Sequence, residues 1–326
     1  MTMPKETGLS IYRKMLTIRR FEEQIAEGCK EKKVICPAHL YIGQEAVASA
    51  VCEQLNKEDY VFGTHRAHGC YLAKGGDLNK IAAELYGKVT GCSRGRGGSM
   101  HVVAPEIGVL GTSAIVAGTI PLGVGAALAA QIRKDGRISA IFFGDGATDE
   151  GTFHESLNFA ALRKLPVLFV CENNSYSTHL HISLRQPRHD ISRFAEAQAV
   201  TWLQGDGNNA ADVYEKTKKA VEMVRAGNGP VFLEFFVNRW RGHVGPNWDY
   251  DIGLRSKEQI EQWVRDCPIE LFASYLKNKG LATEDELKKI GGEVEDSIKE
   301  AIKFAEDSPY PDASTMADYV FKGGSE

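Results

Sequence analysis

The stretch from Ile141 to Tyr176, IFFGDGATDEGTFHESLNFAALRKLPVLFVCENNSY, decides the fold of this chain. It contains an apolar strand, a Gly-Asp-Gly turn, a helix over 149–164, a second strand (PVLFVCE) and an Asn-Asn pair. Asp, Asn and Gly are depleted inside strands, so these residues mark the points where the two strands end. In a parallel sheet, ligands bind where the strands end.

The residues at these strand ends favour a cation and a phosphate. Asp145 leaves the first strand between Gly144 and Gly146, which let the backbone turn sharply beside a ligand. Asn174 leaves the next strand. One carboxylate and one amide carbonyl suit Mg²⁺, which takes further ligands from water and phosphate. The helix that begins near Asp149 offers its N-terminus to a phosphate. Gly-Asp-Gly alone is typical of an ordinary turn, but the joint pattern favours a magnesium–diphosphate site.

The alternation of strands and helices continues beyond this stretch. A helix near 190–198, a strand AVTWLQ, a helix over 210–226 and a strand over 230–237 follow. This pattern predicts an α/β fold, with a parallel sheet covered by helices on both faces and right-handed crossovers. A helix over 9–30 precedes it, and helices extend to about 307. We predict a single domain over 1–326, with a core at about 35–255 and a C-terminal helical extension at about 256–326.

Other segments give further expectations. Arg19 and Arg20 are predicted to be surface or interface charges, and the run HLYIGQEAVASAVCEQL is predicted to be a second helix with Gln44 and Glu45 near its start. Residues 91–111 are rich in glycine and predict a functional loop. Residues 113–134, rich in Ala and Gly, predict a buried helix at a subunit contact.

Composition restricts the class of protein. The chain has 326 residues, 43% of them hydrophobic, and a formal net charge of −4 without blocks of like charge. Nothing in this balance favours nucleic acid or an anionic membrane surface as a partner. Seven scattered cysteines without a C-x-x-C pair favour a reducing compartment over disulfides or zinc. No apolar run approaches the roughly 18 residues of a membrane span, and the N-terminus lacks a signal-peptide pattern. The expected location is the cytoplasm.

Several collinear motifs resemble one family. YRKMLTIRRFEEQI, HLYIGQEAV, THRAHGCYLAKGGD, GCSRGRGGSMH, PLGVGAALA, the Gly-Asp-Gly to Asn-Asn segment and GPVFLEFFVNRWRGH occur in this order between about residues 10 and 265. Together they resemble the alpha subunit of the first component of thiamine-diphosphate-dependent 2-oxo acid dehydrogenases. That family includes pyruvate, branched-chain 2-oxo acid and acetoin dehydrogenases. The resemblance implies the thiamine-diphosphate-binding fold and an enzyme that requires thiamine diphosphate and Mg²⁺.

The resemblance also implies site residues. Asp145, Asn174 and the backbone carbonyl of Tyr176 would bind the metal. Arg66 would bind phosphate through its planar guanidinium, beside His65, where the family often has tyrosine. The full set of expected cofactor contacts is His65, Arg66, Val116, Gly144, Asp145, Gly146, Ala147, Asn174 and Tyr176. His39 and His243 would be catalytic, because an imidazole can exchange a proton near neutral pH.

The remaining histidines are less suited to catalysis. His154 is predicted to be a packing or interface residue, and His68 either orients Arg66 or has no role in the site. His101 is near the glycine-rich loop but is not favoured. His179, His181 and His189 are expected in a solvated loop.

The implied reaction is decarboxylation of a pyruvate-like 2-oxo acid, or cleavage of acetoin, with acyl transfer to a lipoyl domain. No obvious carboxylate is present to activate the aminopyrimidine ring of the cofactor. The resemblance assigns that group to a separate, transketolase-like beta subunit in an assembly of two alpha and two beta chains, with a lipoyl-bearing acyltransferase as a further partner. Without the beta subunit the chain is expected to be inert.

Two loops depart from the family pattern and leave alternatives open. Val244 replaces the usual serine in VGPNWDYDIGLRSKEQIEQW, and STHLHISLRQP lacks the usual glycines. Residues 248–251 either select substrate near the site mouth or only precede a helix capped at Ser256. One alternative is a two-subunit thiamine enzyme that performs carboligation or acyl or ketol transfer in a biosynthetic pathway. Another is a regulatory or scaffold subunit without activity.

Overall fold

A six-stranded parallel sheet forms the centre of the computed structural model, which describes residues 3–318. Its strands are β1 (Tyr60–Gly63), β2 (Val109–Thr112), β3 (Ser139–Gly144), β4 (Val167–Asn173), β7 (Thr201–Asp206) and β8 (Val231–Phe236), and a short antiparallel hairpin contains β5 (Tyr176–Ser177) and β6 (Leu180–His181). The strand order across the sheet is β2-β1-β3-β4-β8-β7. The α/β class is therefore confirmed.

The two strands that carry the predicted site are neighbours. β3 pairs with β4 in parallel from Ser139↔Val167 to Gly144↔Glu172. Because both strands end at the same edge, Asp145 and Asn174 emerge side by side. The strand–helix–strand interpretation of residues 138–173 is correct.

Eleven α-helices surround the sheet within residues 3–318. They are α1 (Lys5–Lys30), α2 (Glu45–Cys52), α3 (Ala67–Ala73), α4 (Leu78–Leu85), α5 (Thr119–Arg133), α6 (Gly151–Arg163), α7 (Ser192–Ala197), α8 (Ala210–Arg225), α9 (Lys257–Arg265), α10 (Pro268–Asn278) and α11 (Glu284–Asp307). Helices α5, α6 and α7 share one apolar core with one face of the sheet. Helices α1, α2, α4, α8, α10 and α11 share the core on the other face. Helical N- and C-terminal segments flank the sheet as expected.

Three local predictions need correction. Arg19 is not a surface charge: it is buried and donates to both carboxylate oxygens of Glu45, at 2.7 and 3.0 Å. Such a partner offsets the cost of burying a cation. Arg20 is exposed, as predicted. Residues 113–118 are not helical, since α5 begins at Thr119, and the second helix is limited to α2.

The short strands β1 and β2 were not predicted, because four residues are too few for a periodic pattern. Within residues 3–318 no helix combines the length and apolarity that a bilayer span requires.

Candidate active site at the strand ends

A cavity of about 180 Å³ opens at the edge of the sheet where β3 and β4 end. Its walls come from the turn after β1, residues 113–117 before α5, the loops after β3 and β4, and the segment after β8. The predicted residues that line it are His39, His65, Arg66, Val116, Gly144, Gly146, Ala147, Asn174, Tyr176 and His243. Residues that the motifs place far apart in sequence therefore meet in one cavity.

Asp145 lies between two residues of the cavity wall, in the turn that follows β3. Its side chain is buried; one carboxylate oxygen, Oδ2, accepts from Arg185, and the other, Oδ1, has no partner within residues 3–318. Burial raises the pKa of Asp145, while Arg185 opposes that change. Gly146 must be glycine, since a Cβ there would lie 2.5 Å from Ser177 Oγ. The turn thus presents a buried oxygen that lacks a cation or donor.

Arg66 provides a buried positive charge on the cavity wall. Its guanidinium donates to the carbonyl oxygens of Leu40 at 2.7 Å and His243 at 3.0 Å. No ion pair to Arg66 is formed within the part of the chain that the structure describes. Burial, and then the nearby charge of Arg239, lower the pKa of Arg66 to about 9. An anion at this position would compensate the charge.

Three imidazoles form a cluster beside Arg66. The ring centroids of His39 and His65 are 4.8 Å apart, those of His39 and His243 5.1 Å, and those of His65 and His243 5.0 Å. Burial, and then the charge of Arg66, lower the pKa of His39 to about 4 and that of His243 to about 3. The same causes lower the pKa of His65. All three rings are therefore neutral at pH 7.

Comparison with known proteins identifies the family. The family model described as "Dehydrogenase E1 component" matches residues 13–314. The chain belongs to the dehydrogenase E1 component family. It is similar to the alpha subunit of acetoin:2,6-dichlorophenolindophenol oxidoreductase from Bacillus subtilis (strain 168), with 38% identity over 99% of this chain and 97% of the relative.

Two pyruvate dehydrogenase E1 component alpha subunits are equally similar. The relative from Porphyra purpurea is 38% identical over 98% of this chain and 94% of its own length. The relative from Rhizobium meliloti (strain 1021) is 38% identical over 96% of this chain and 89% of its own length. The match extends over nearly the full length in every case.

The E1 chain also brings side chains to the cavity that the motifs did not single out. Glu172, the acid before the Asn-Asn pair, lines the cavity and accepts a hydrogen bond from the Tyr41 hydroxyl. Burial raises the pKa of Glu172 to about 7. Arg239 also lines the cavity, buried and paired with Asp249 at 3.0 Å. The sequence does contain a signal for both residues, because each is a charged residue at the end of an apolar strand: Glu172 in CENN and Arg239 in VNRWRGH.

The atypical 244–255 segment of the E1 chain is tied to the cavity through Asp249. This buried carboxylate accepts from Arg239 and, at 3.2 Å, from Arg255 Nε. Arg255 Nη2 in turn donates to the Asn174 carbonyl at 2.9 Å. Ser256 does cap α9, accepting from Gln259 N at 3.1 Å. The segment therefore both caps a helix and braces the loop after β4.

The glycine-rich loop is held by a buried network. Glu84 accepts backbone N–H groups of Ser93, Gly95, Gly97 and Gly98, at 2.7, 2.9, 2.7 and 3.1 Å. Further along the loop, Ser99 Oγ accepts from the backbone N–H of His39 at 3.2 Å and lies 2.9 Å from His68 Nε2. The loop thus positions the segment that carries His39.

His68 contacts Glu22 at 3.0 Å and Ser99, not Arg66. The role of orienting Arg66 is wrong; His68 connects α1 to the glycine-rich loop. His154 packs edge-on against Phe194 and lies 3.1 Å from the Thr148 carbonyl, as expected of a packing residue. His101, His179 and His189 are exposed and His181 is half-buried.

Proposed function

We propose that the chain is the alpha subunit of a thiamine-diphosphate-dependent 2-oxo acid dehydrogenase that decarboxylates a pyruvate-like 2-oxo acid or cleaves acetoin. One observation carries this proposal: within residues 3–318, a buried oxygen of Asp145 without a partner lies between two residues of the cavity wall, and the wall itself contains Arg66, a buried guanidinium without a counter-ion, and three imidazoles. Unpaired buried charges are costly, so the arrangement suits a ligand that carries both a cation and an anion.

The residues fit magnesium diphosphate. Oδ1 of Asp145, the side-chain oxygen of Asn174 and the Tyr176 carbonyl are the oxygen ligands that Mg²⁺ prefers. Arg66 would hold the diphosphate, with backbone groups of Gly146 and Ala147 as further contacts. Val116, half exposed in the cavity wall, would contact the aminopyrimidine through its backbone, and His65 and Gly144 would complete the contacts.

Thiamine diphosphate, when bound, supplies a nucleophilic carbon and an electron sink for a 2-oxo acid. His39 and His243 are proposed to hold or move the proton at the substrate oxygen. Both imidazoles are neutral at pH 7 in the protein alone, because their pKa values are lowered to about 4 and about 3. Each can therefore accept a proton at one nitrogen while its N–H donates a hydrogen bond. A phosphate beside Arg66 would raise both pKa values, since it would offset the charge that lowers them.

A beta subunit is part of the proposal. Helices α5 and α6 pack together and carry the exposed apolar side chains of Leu122, Phe159 and Leu162, and Ile115 and Val116 in the segment before α5 are exposed as well. Exposed apolar patches of this kind mark interaction sites. We infer an assembly of two alpha and two beta chains in the cytoplasm, active only when the beta subunit is present. A lipoyl-bearing acyltransferase would be the further partner.

The proposal is tested by Asp145→Ala in the complex of the full chain with its beta subunit. Calorimetry should detect Mg²⁺-dependent binding of thiamine diphosphate to the wild type and none to the variant. Glu150→Ala, an exposed carboxylate at the same strand end, is the matched control and should bind normally. Unchanged binding by Asp145→Ala would support the scaffold alternative.

Carboligation or ketol transfer is not favoured, since the relatives described above are named as pyruvate and acetoin enzymes.

A further inference from the structure

Arg185 lies in the loop that follows Asn174, in one of the two segments that depart from the family pattern. Its side chain is only 7% exposed. The guanidinium bridges two carboxylates: Nη2 donates to Asp145 Oδ2 and Nη1 to Asp149 Oδ2. Nε donates to the Leu180 carbonyl at 3.3 Å. Arg185 is therefore fixed by three contacts in different directions.

These contacts leave one defined oxygen of Asp145 free. Oδ2 is occupied by Arg185, whereas Oδ1 is buried and has no partner within residues 3–318. Because the guanidinium that binds Oδ2 is itself held by Asp149 and the Leu180 carbonyl, it restricts rotation of the Asp145 carboxylate and with it the direction of Oδ1. A cation can bind Oδ1 without displacing Arg185.

Neighbouring contacts keep Arg185 in place. Gln186 Nε2 donates to Thr148 Oγ1 at 2.9 Å and to Asp149 Oδ1 at 2.5 Å. Gln186 Oε1 accepts from Arg193 Nη2 at 2.7 Å. Movement of Arg185 away from Asp145 would disturb these adjoining hydrogen bonds and would leave the buried Asp145 carboxylate without a cation.

We propose that Arg185 is a positioning residue for the metal ligand Asp145: it holds Oδ2 so that Oδ1 is presented to the divalent cation. This inference rests on the proposed function. The competing arrangement is that Arg185 occupies the cation's own place and must leave when metal binds. The two arrangements predict opposite effects of removing Arg185 on metal affinity, because a positioning residue strengthens metal binding and a competitor weakens it.

The test uses the complex of the full chain with its beta subunit and saturating thiamine diphosphate. The dissociation constant of Mn²⁺, used alone as the metal probe, is measured by electron paramagnetic resonance, and that of Mg²⁺ by competition. Arg185→Gln should weaken metal binding by roughly tenfold or more, the usual effect of losing a residue that orients a metal ligand. Arg185→Lys should recover part of the loss, and it serves if Arg185→Gln does not fold.

Two further variants sharpen the result. Arg188→Gln makes the same change on the same loop, at an exposed residue that pairs with Asp190, and should leave the metal dissociation constant unchanged. Asp149→Asn weakens the second contact of Arg185 without touching Asp145 and should weaken metal binding in the same direction as Arg185→Gln. Tighter or unchanged metal binding in Arg185→Gln overturns the inference. A wild-type complex that binds neither cofactor nor metal would instead overturn the proposed function.

Discussion

At the scale of single residues, the site contains a buried charge that raises the free energy of the folded, unbound chain. Arg66 is 6% exposed and is held by two carbonyl oxygens, without a counter-ion among the described residues 3–318, next to three imidazoles that burial keeps neutral. A folded protein tolerates such groups only when the rest of the core compensates for them. Binding an anion would recover part of that free energy, so the residues that destabilise the unbound chain are also those that would hold the ligand.

Replacing Arg66 by Met should therefore separate stability from binding. We expect the unbound Arg66→Met chain to unfold at the same temperature as the wild type or a higher one, because an uncompensated buried charge is removed. The same variant should lose binding of thiamine diphosphate in calorimetry. Arg239→Met is the contrasting variant: it removes one of the two buried cations that pair with Asp249, the other being Arg255, and should destabilise the chain by about 2 kcal/mol. A large loss of stability in Arg66→Met would contradict the electrostatic account.

Stability of the unbound chain should also fall on acidification. The pKa values of His39, His65 and His243 are lowered in the folded state, so between the unfolded pKa near 6.5 and about 4 the unfolded chain binds more protons. Stability is thus lost as pH falls through that window. Glu172, whose pKa is raised to about 7, acts in the opposite direction, but one carboxyl opposes three imidazoles.

Thermal unfolding at pH 7 and pH 5 measures this dependence. His65→Gln should reduce the difference between the two midpoints, because one group that resists protonation is removed. His101→Gln, at an exposed imidazole, should keep the wild-type difference. Equal differences in all three proteins would show that the His65 ring does not contribute.

At the scale of elements, the glycine-rich loop is ordered by one carboxylate and not by regular structure. Glu84 lies in α4 and is buried. The four backbone donors that it accepts span residues 93–98. The loop then continues to Ser99, which accepts from His39. A helix therefore positions the segment that carries His39 through a loop that has no periodic hydrogen bonding of its own.

Glu84→Gln tests this dependence. An amide is neutral and accepts at one oxygen only, so all four donors lose a charged acceptor and two of them face an NH₂ group instead. We expect destabilisation by about 2 kcal/mol or more and faster hydrogen exchange at residues 91–101. Glu106→Gln, a change to an exposed carboxylate further along the same glycine-rich loop, should alter neither quantity. Loop exchange at the wild-type rate in Glu84→Gln would count against the anchoring role.

At the scale of the whole molecule, the helices on one face of the sheet carry a set of exposed apolar side chains. One face lies under α1, α2, α8 and the C-terminal helices. The other lies under α5 and α6, whose outer sides expose Leu122, Ile132, Phe159 and Leu162. A chain of this size normally buries such residues against a partner when they are contiguous.

Leu162→Glu should therefore prevent assembly without harming the isolated chain. Leu162 is 76% exposed, so the free chain should keep its unfolding temperature, whereas a carboxylate buried in an interface without a partner is costly. Sedimentation of the chain co-expressed with its beta subunit measures the result. Leu271→Glu, at a residue of α10 that is 50% exposed, is the control and should assemble normally. Assembly of Leu162→Glu at wild-type strength would place the interface elsewhere.

Much of the architecture could be predicted because its signals are local. The runs that became β3, β4 and β8 are apolar along their length, the helices between them have a helical period, and the polar residues at the strand ends mark the edge of the sheet. The predictions were wrong where the same local sequence pattern is compatible with more than one structure. Residues 113–118 continue the composition of α5, yet they form the cavity wall, with Ala117 in the left-handed region at φ 59°. The single-domain arrangement stays a prediction.

The sequence by itself determined where the strands end and which residue types meet there. Apolar runs, turn residues and charges are properties of short segments, so they can be recognised without the tertiary structure. Only the tertiary structure decided that Arg19 is buried against Glu45, that Arg66 has no counter-ion in the part of the chain that the structure describes, and that Arg185 and Asp249 brace the predicted site. Those facts depend on contacts between residues far apart in the chain, and a charged side chain has the same local pattern whether its partner is a carboxylate, a carbonyl or water.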